Sequence, residues 1–164
     1  MSNLTNDRFF QEKAALSSLV KFCLSGAHLL KASQFLENHT ENEVKGYELL
    51  YDLSQFCEDN AIPFLVHIDW TAETEEFLYF LDRILTENFG LEIISDLDRV
   101  AQNHSLDQVM QQCDQLLERH GLQLGFADDD TDSYIFFVHR IENTEEIRSL
   151  LEQNSFLYQE TPDL

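Results

Sequence analysis

A chain of 164 residues carries thirty-one Asp and Glu against ten Lys and Arg, a formal net charge of −21 at neutral pH. A field of that sign repels nucleic acid and anionic lipid and attracts cations or basic surfaces, so neither nucleic acid nor membrane is an expected partner. Thirteen Phe and a 43 % apolar fraction supply a core and exclude an acidic disordered segment, whose composition is poor in aromatics.

The first sixty residues predict helices. Leu16, Leu19, Val20 and Cys23 follow the i, i+3, i+4, i+7 rule. Gly26 breaks the pattern before Leu29, Leu30, Ala32, Phe35 and Leu36. After the polar stretch 37–43 a further helix runs through Gly46, Leu49, Leu50, Leu53, Phe56 and Cys57, and Asn60 and Pro63 end it.

From Ile62 the period becomes two. Phe64, Val66, Ile68 and Trp70 alternate with Leu65, His67 and Asp69, as in a strand. Thr71 is placed to cap a helix with the stripe Phe77, Leu78, Leu81, Ile84 and Leu85, and Gly90 suits its end. Leu91–Ile94 is a short strand candidate that also fits a buried loop. Ser105 and Gln108 form an S-x-x-Q capping box ahead of Leu106, Val109, Met110, Cys113, Leu116 and Leu117, and Gly121 closes that helix.

Two strands follow, Leu122–Ala127 and Ser133–Ile141, joined by an acidic turn. Paired antiparallel about Asp130, they set Leu124 opposite Phe136 and Gly125 opposite Ile135. One face then carries Leu122, Leu124, Phe126, Tyr134, Phe136 and Val138, and the other sets Gly125 and Ala127 beside Ile135 and Phe137. Ser133–Ile141 is apolar on both faces and is therefore expected at the sheet centre, with the early helices as its second cover. Asn143 and Glu146 cap a last helix bearing Ile147, Leu150 and Leu151, and Phe156, Leu157 and Tyr158 anchor the end before a frayed acidic tail.

The expected class is α+β: N-terminal helices packed with a small mixed sheet of three or four strands, ending in an antiparallel hairpin. A single domain is expected over 1–164, with a helical part at 1–60, a β-α-(β)-α-β-β-α part at 61–158 and a tail at 159–164. Asp7 and Glu12 interrupt any signal-like apolar run, and no apolar stretch approaches the roughly 20 residues of a spanning helix. Cys23, Cys57 and Cys113, odd in number and without C-x-x-C spacing, each fall on an apolar stripe. They predict buried, reduced thiols in a cytoplasmic protein, not a disulfide framework or zinc site.

The candidate binding residues are acidic or paired with acid. Asp128, Asp130 and Asp132 open like a calcium loop, and Asp129 adds a fourth carboxylate. However, Ser133 stands where the loop needs glycine and His139 where it needs Glu. The bland reading is a solvated turn; the sharper ones are a weak cation site or a docking spot for a basic partner. His67 and Asp69 project from one strand face, a pairing that orients an imidazole or begins a metal site with His139 or Asp132. The bland reading there is a hydrogen-bonded His on an exposed sheet face. No dinucleotide, Walker, hydrolase-elbow or kinase motif is present in the sequence, and no cofactor is expected.

Phe64–Trp70 before a helix, and Asp132–Val138 before Asn143–Arg148, resemble segments of small uncharacterised bacterial α+β proteins of unknown function. The resemblance covers about the last hundred residues. It implies a fold and carries no catalytic residues. The expected role is an acidic, inhibitor-type (immunity-like) module binding a basic protein, as a monomer or homodimer. The alternative is a metal-dependent hydrolase or other enzyme using His67, Asp69 and the Asp128–Asp132 carboxylates.

Overall fold

Along Tyr134–His139 every side chain is apolar or aromatic, which leaves no polar face to turn toward water. In the computed structural model, which describes residues 2–40, 48–69, 71–100, 104–128 and 133–161, this run forms the strand β3 (Ser133–Arg140) at the interior of a four-stranded sheet. Its neighbours are β1 (Val66–Asp69) on one side and β2 (Leu122–Asp128) on the other, with β4 (Leu157–Gln159) beyond β2. All three pairings are antiparallel, so the expected α+β class and four strands are present but the sheet is not mixed.

Helices cover both faces. On one side α1 (Ser2–Cys23), α2 (Gly26–Asn38), α3 (Glu48–Asp59) and α7 (Thr144–Gln153) pack with Ala127, Ile135 and Phe137. On the other α4 (Thr74–Ile84), α5 (Ile94–Val100) and α6 (Leu106–Glu118) pack with Leu122, Leu124, Phe126, Phe136 and Val138. The two predicted hairpin faces therefore line two separate cores, as side-chain alternation requires.

The hairpin register differs from the expectation by two residues. Leu124 faces Val138, Gly125 faces Phe137 and Phe126 faces Phe136. A shift of two leaves each side chain on its own face, and it sets the Phe137 ring over the one β2 residue that lacks a side chain. A Cβ at Gly125 would stand 2.8 Å from that ring.

Other expectations are corrected locally. Thr71 does not cap a helix: its hydroxyl and its N–H both donate to Asp69, and α4 begins three residues later behind Glu73. That helix passes into a π-helical turn, Leu85–Phe89, which Gly90 closes in the left-handed conformation. Leu91–Ile93 is irregular and Ile94 begins α5, so no strand forms there. Leu30 is exposed rather than on the stripe of α2. Asn143 precedes α7 from a 3-10 turn without a side-chain capping bond.

The Ser105–Gln108 box is present in both directions. Leu157, expected as an anchor, belongs to the edge strand β4, and Thr161 beyond it is buried. The three cysteines are buried free thiols. Burial pushes Cys57 and Cys113 up to about 12 and Cys23 higher still. Gly46 and Trp70 lie outside the described residues.

Candidate functional site

β1 is an edge strand, and its alternation puts His67 and Asp69, both exposed, on the same face. The structure does not pair them. Asp69 Oδ1 accepts the Thr71 hydroxyl at 2.7 Å and the Thr71 N–H at 2.8 Å, and these bonds hold its carboxyl below the usual range. They close the turn leading into α4, a structural task for an Asx side chain. The His67 ring lies 5.8 Å from Tyr51. Desolvation there lowers its pKa, and the nearby Glu58 opposes the shift only in part, which leaves the imidazole neutral at pH 7.

The register carries Asp69 opposite Ser133, the residue that follows the acidic run in sequence. Of that run, Asp129, Asp130 and Asp132 lie outside the described residues. Asp128 sits on β2 beside β4 and accepts a 2.6 Å bond from Gln159 Nε2. His139 cannot share a metal with His67. His67 pairs with Ile135, and four residues of β3, about 13 Å along the strand, separate that position from His139. Among the described residues no group of three or more His, Cys, Asp or Glu is gathered as metal ligands.

His139 is instead fully buried and bonded at both nitrogens. Nδ1 lies 2.9 Å from the Arg140 carbonyl, which can only accept, so Nδ1 carries the proton. Nε2 then accepts the Tyr158 hydroxyl at 2.9 Å. On the opposite face Asp114, also buried, accepts the Leu124 N–H at 2.8 Å and the Thr161 hydroxyl at 3.2 Å. Desolvation raises its pKa against those bonds, and Glu118 and Glu160 add to the rise. Both sets tie helix or edge strand to sheet, and the sequence reading missed them. The available signal for Asp114 was a lone acid beside Cys113 in the helix stripe.

A cavity of about 170 Å³ opens at the outer edge of β1, between α3, the connection 60–65 and α4. That connection contains no glycine, yet Ala61 (φ 53°) and Leu65 (φ 52°) both adopt left-handed backbone. Three side chains hold it. Arg83 donates to Ala61 O at 2.9 Å, Asn88 to Pro63 O at 2.8 Å and Ser54 to Leu65 O at 2.6 Å.

The cavity walls include Phe80, Val66 and Ile62, and its charged members are Glu58, Glu76 and Arg83. Arg83 is already engaged, its Nε 2.8 Å from Glu87, which also meets His28 Nε2 at 2.9 Å. A broader groove between α5 and α6, about 700 Å³, is mostly polar, with Gln111, Gln112 and Gln115 between Arg99 and Arg119.

A sequence-family model described as a domain of unknown function (DUF6630) matches residues 6–159. The match takes in the N-terminal helices, which the resemblance read from sequence had left out. No curated protein matches, and no solved structure matches.

Proposed function

We propose that this chain, which belongs to the DUF6630 family, is a cytoplasmic binding module of inhibitor type that meets a basic protein through its acidic C-terminal two-thirds. One observation carries the reading. Glu73, Glu75 and Glu76 of the α4 entry, and Glu142, Glu146 and Glu152 around α7, stand exposed, and among the described residues none has an ion-pair partner. Residues 61–164 hold twenty-two acids against five arginines, too few bases to neutralise them. Carboxylates left unpaired at the surface keep their field for a partner. Such a field speeds encounter and selects basic surfaces, and salt screens it over about 10 Å at 0.1 M.

Among the described residues no helix is long and apolar enough to cross a membrane. Three buried free thiols suit a reducing compartment. The enzyme alternative needs His67 and Asp69 to act together, whereas Asp69 serves Thr71 and His67 lies against Tyr51.

The test is retention of the full chain on an immobilised lysine-rich peptide at low and high salt. The reversal Glu73→Lys/Glu75→Lys/Glu76→Lys is expected to weaken retention more than an equal reversal at Glu37, Asp59 and Asp7. Equal losses from both triple variants, or no retention at low salt, would overturn the proposal.

A further inference from the structure

The cavity at the edge of β1 has a size and a charge that specify an occupant. At about 170 Å³ it falls below the roughly 300–1,000 Å³ of sites for drug-sized ligands, and it is close to the roughly 150 Å³ that holds a single benzene ring. A nucleotide or peptide does not fit inside, whereas one side chain does. Its apolar lining includes Ile62, Phe64, Val66 and Phe80.

Its ionisable members sum to a negative rim. Arg83 is offset by Glu87 at 2.8 Å and bonded to Ala61 O, and His67 is neutral. Glu58 and Glu76 remain, both exposed, and neither has a hydrogen-bond or ion-pair partner among the described residues. Two carboxylates beside an apolar lining are a poor cage for a hard divalent cation, which takes six or more oxygens. They suit an organic cation with a hydrocarbon stem.

Resting on the binding role proposed above, we infer that this cavity receives one lysine or arginine side chain of the basic partner. Its methylenes would lie on Phe80 and Val66, and its charged head would stand at Glu58 and Glu76. Long basic side chains divide in this way between apolar wall and polar mouth. The left-handed turns at Ala61 and Leu65 and the bonds from Arg83, Asn88 and Ser54 fix the wall in advance. A preformed pocket spares the partner's side chain part of the ordering cost of binding.

The experiment uses the labelled full chain and two probes with the same stem, n-butylammonium and n-butanol. The expected result is saturable shifts of the Phe80 and His67 ring signals with butylammonium. Butanol should bind about tenfold more weakly, the worth of one charge-assisted hydrogen bond. In Glu58→Gln/Glu76→Gln the two probes should become equal. Both residues are exposed and the change is isosteric, so the amide spectrum reports an intact fold. Equal binding of the probes to the natural chain, or shifts confined to other residues, would overturn the inference.

The lysine-rich peptide separates this inference from the broader role. Weaker retention by Glu58→Gln/Glu76→Gln than by the equal-charge control Glu142→Gln/Glu152→Gln supports the pocket. Equal retention by both variants rejects the pocket and leaves the acidic-surface role standing. No retention by the natural chain at low salt rejects both.

Discussion

Gly125 lies under the ring of Phe137: a methyl group at Gly125 would stand 2.8 Å from Phe137 Cζ, 2.9 Å from Cε2 and 3.0 Å from Tyr158 Cε2. Phe137 is fully buried and cannot swing clear. Gly125→Ala is therefore expected to destabilise by about 1–3 kcal/mol, as overpacking does. The gain of roughly 0.5–1 kcal/mol from a less flexible unfolded chain does not offset it. Urea unfolding checks this, with a lower midpoint and an unchanged slope. Trimming the ring in Gly125→Ala/Phe137→Leu should recover part of the clash cost.

Ala61 offers the opposite case, a side chain where the backbone favours none. Its φ of 53° costs an L-residue about 1–2 kcal/mol. Ala61→Gly removes that strain and loses about 0.4–1 kcal/mol to unfolded-state entropy. Because Ala61 is exposed and contributes its carbonyl to Arg83, which glycine retains, the net change should be a gain of up to about 1 kcal/mol. A lower melting temperature for this variant would show that the conformation is not strained.

Asp114 makes stability depend on acid. Its folded pKa is raised, by desolvation first, so the native state holds a proton that the unfolded chain has already released. Stability therefore falls as pH rises from the ordinary Asp value through the raised one. Asp114→Asn keeps an acceptor for Leu124 N–H and removes the buried charge. It should melt higher than the natural chain at pH 7, with the gap closing as pH is lowered toward 4. Asp114→Ala strands the Leu124 N–H and should lose about 1–3 kcal/mol at both pH values.

His139 acts with the reverse sign. Burial holds its imidazole below the ordinary value, and desolvation does the same at His67. As pH drops through the ordinary His range the unfolded chain binds protons that the native state refuses, so stability is lost toward acid. In the Asp114→Asn variant, which lacks the opposing contribution of that carboxyl, urea midpoints at pH 7.5 and 5.5 should fall in that order. Tyr158→Phe removes the hydroxyl donor to His139 Nε2 and should cost about 1–3 kcal/mol at pH 7.5. An unchanged midpoint would mean that the bond contributes nothing.

Periodicity carried much of the fold. The stripes Leu16–Cys23, Phe77–Leu85 and Val109–Leu117 all face a core, and the doubly apolar run expected over Ser133–Ile141 sits inside the sheet as Ser133–Arg140, with Ile141 exposed in the 3-10 turn that follows. Hairpin register was legible only to its parity. Alternation decides which face a residue takes, but the pairing was settled by the fit of Phe137 over Gly125. α5 escaped because seven residues hold too little pattern to tell helix from strand. β4 escaped because three residues hold less.

At the candidate sites, sequence placed His67 and Asp69 correctly on one face and could not see that Thr71 had taken Asp69. The cavity was invisible for another reason. Its walls come from α3, the connection 60–65, β1 and α4, and its shape depends on left-handed backbone at Ala61 and Leu65, two residue types that give no warning of it.

β3 belongs to both cores at once: Ile135 and Phe137 serve one, Phe136 and Val138 the other. Odd and even positions thus work as a parity check on assembly. A slip by a single residue would not damage one layer and spare its neighbour; it would deliver each layer the other's side chains. The helical jacket around this strand is accordingly two coats cut from one seam, and neither can be fitted alone.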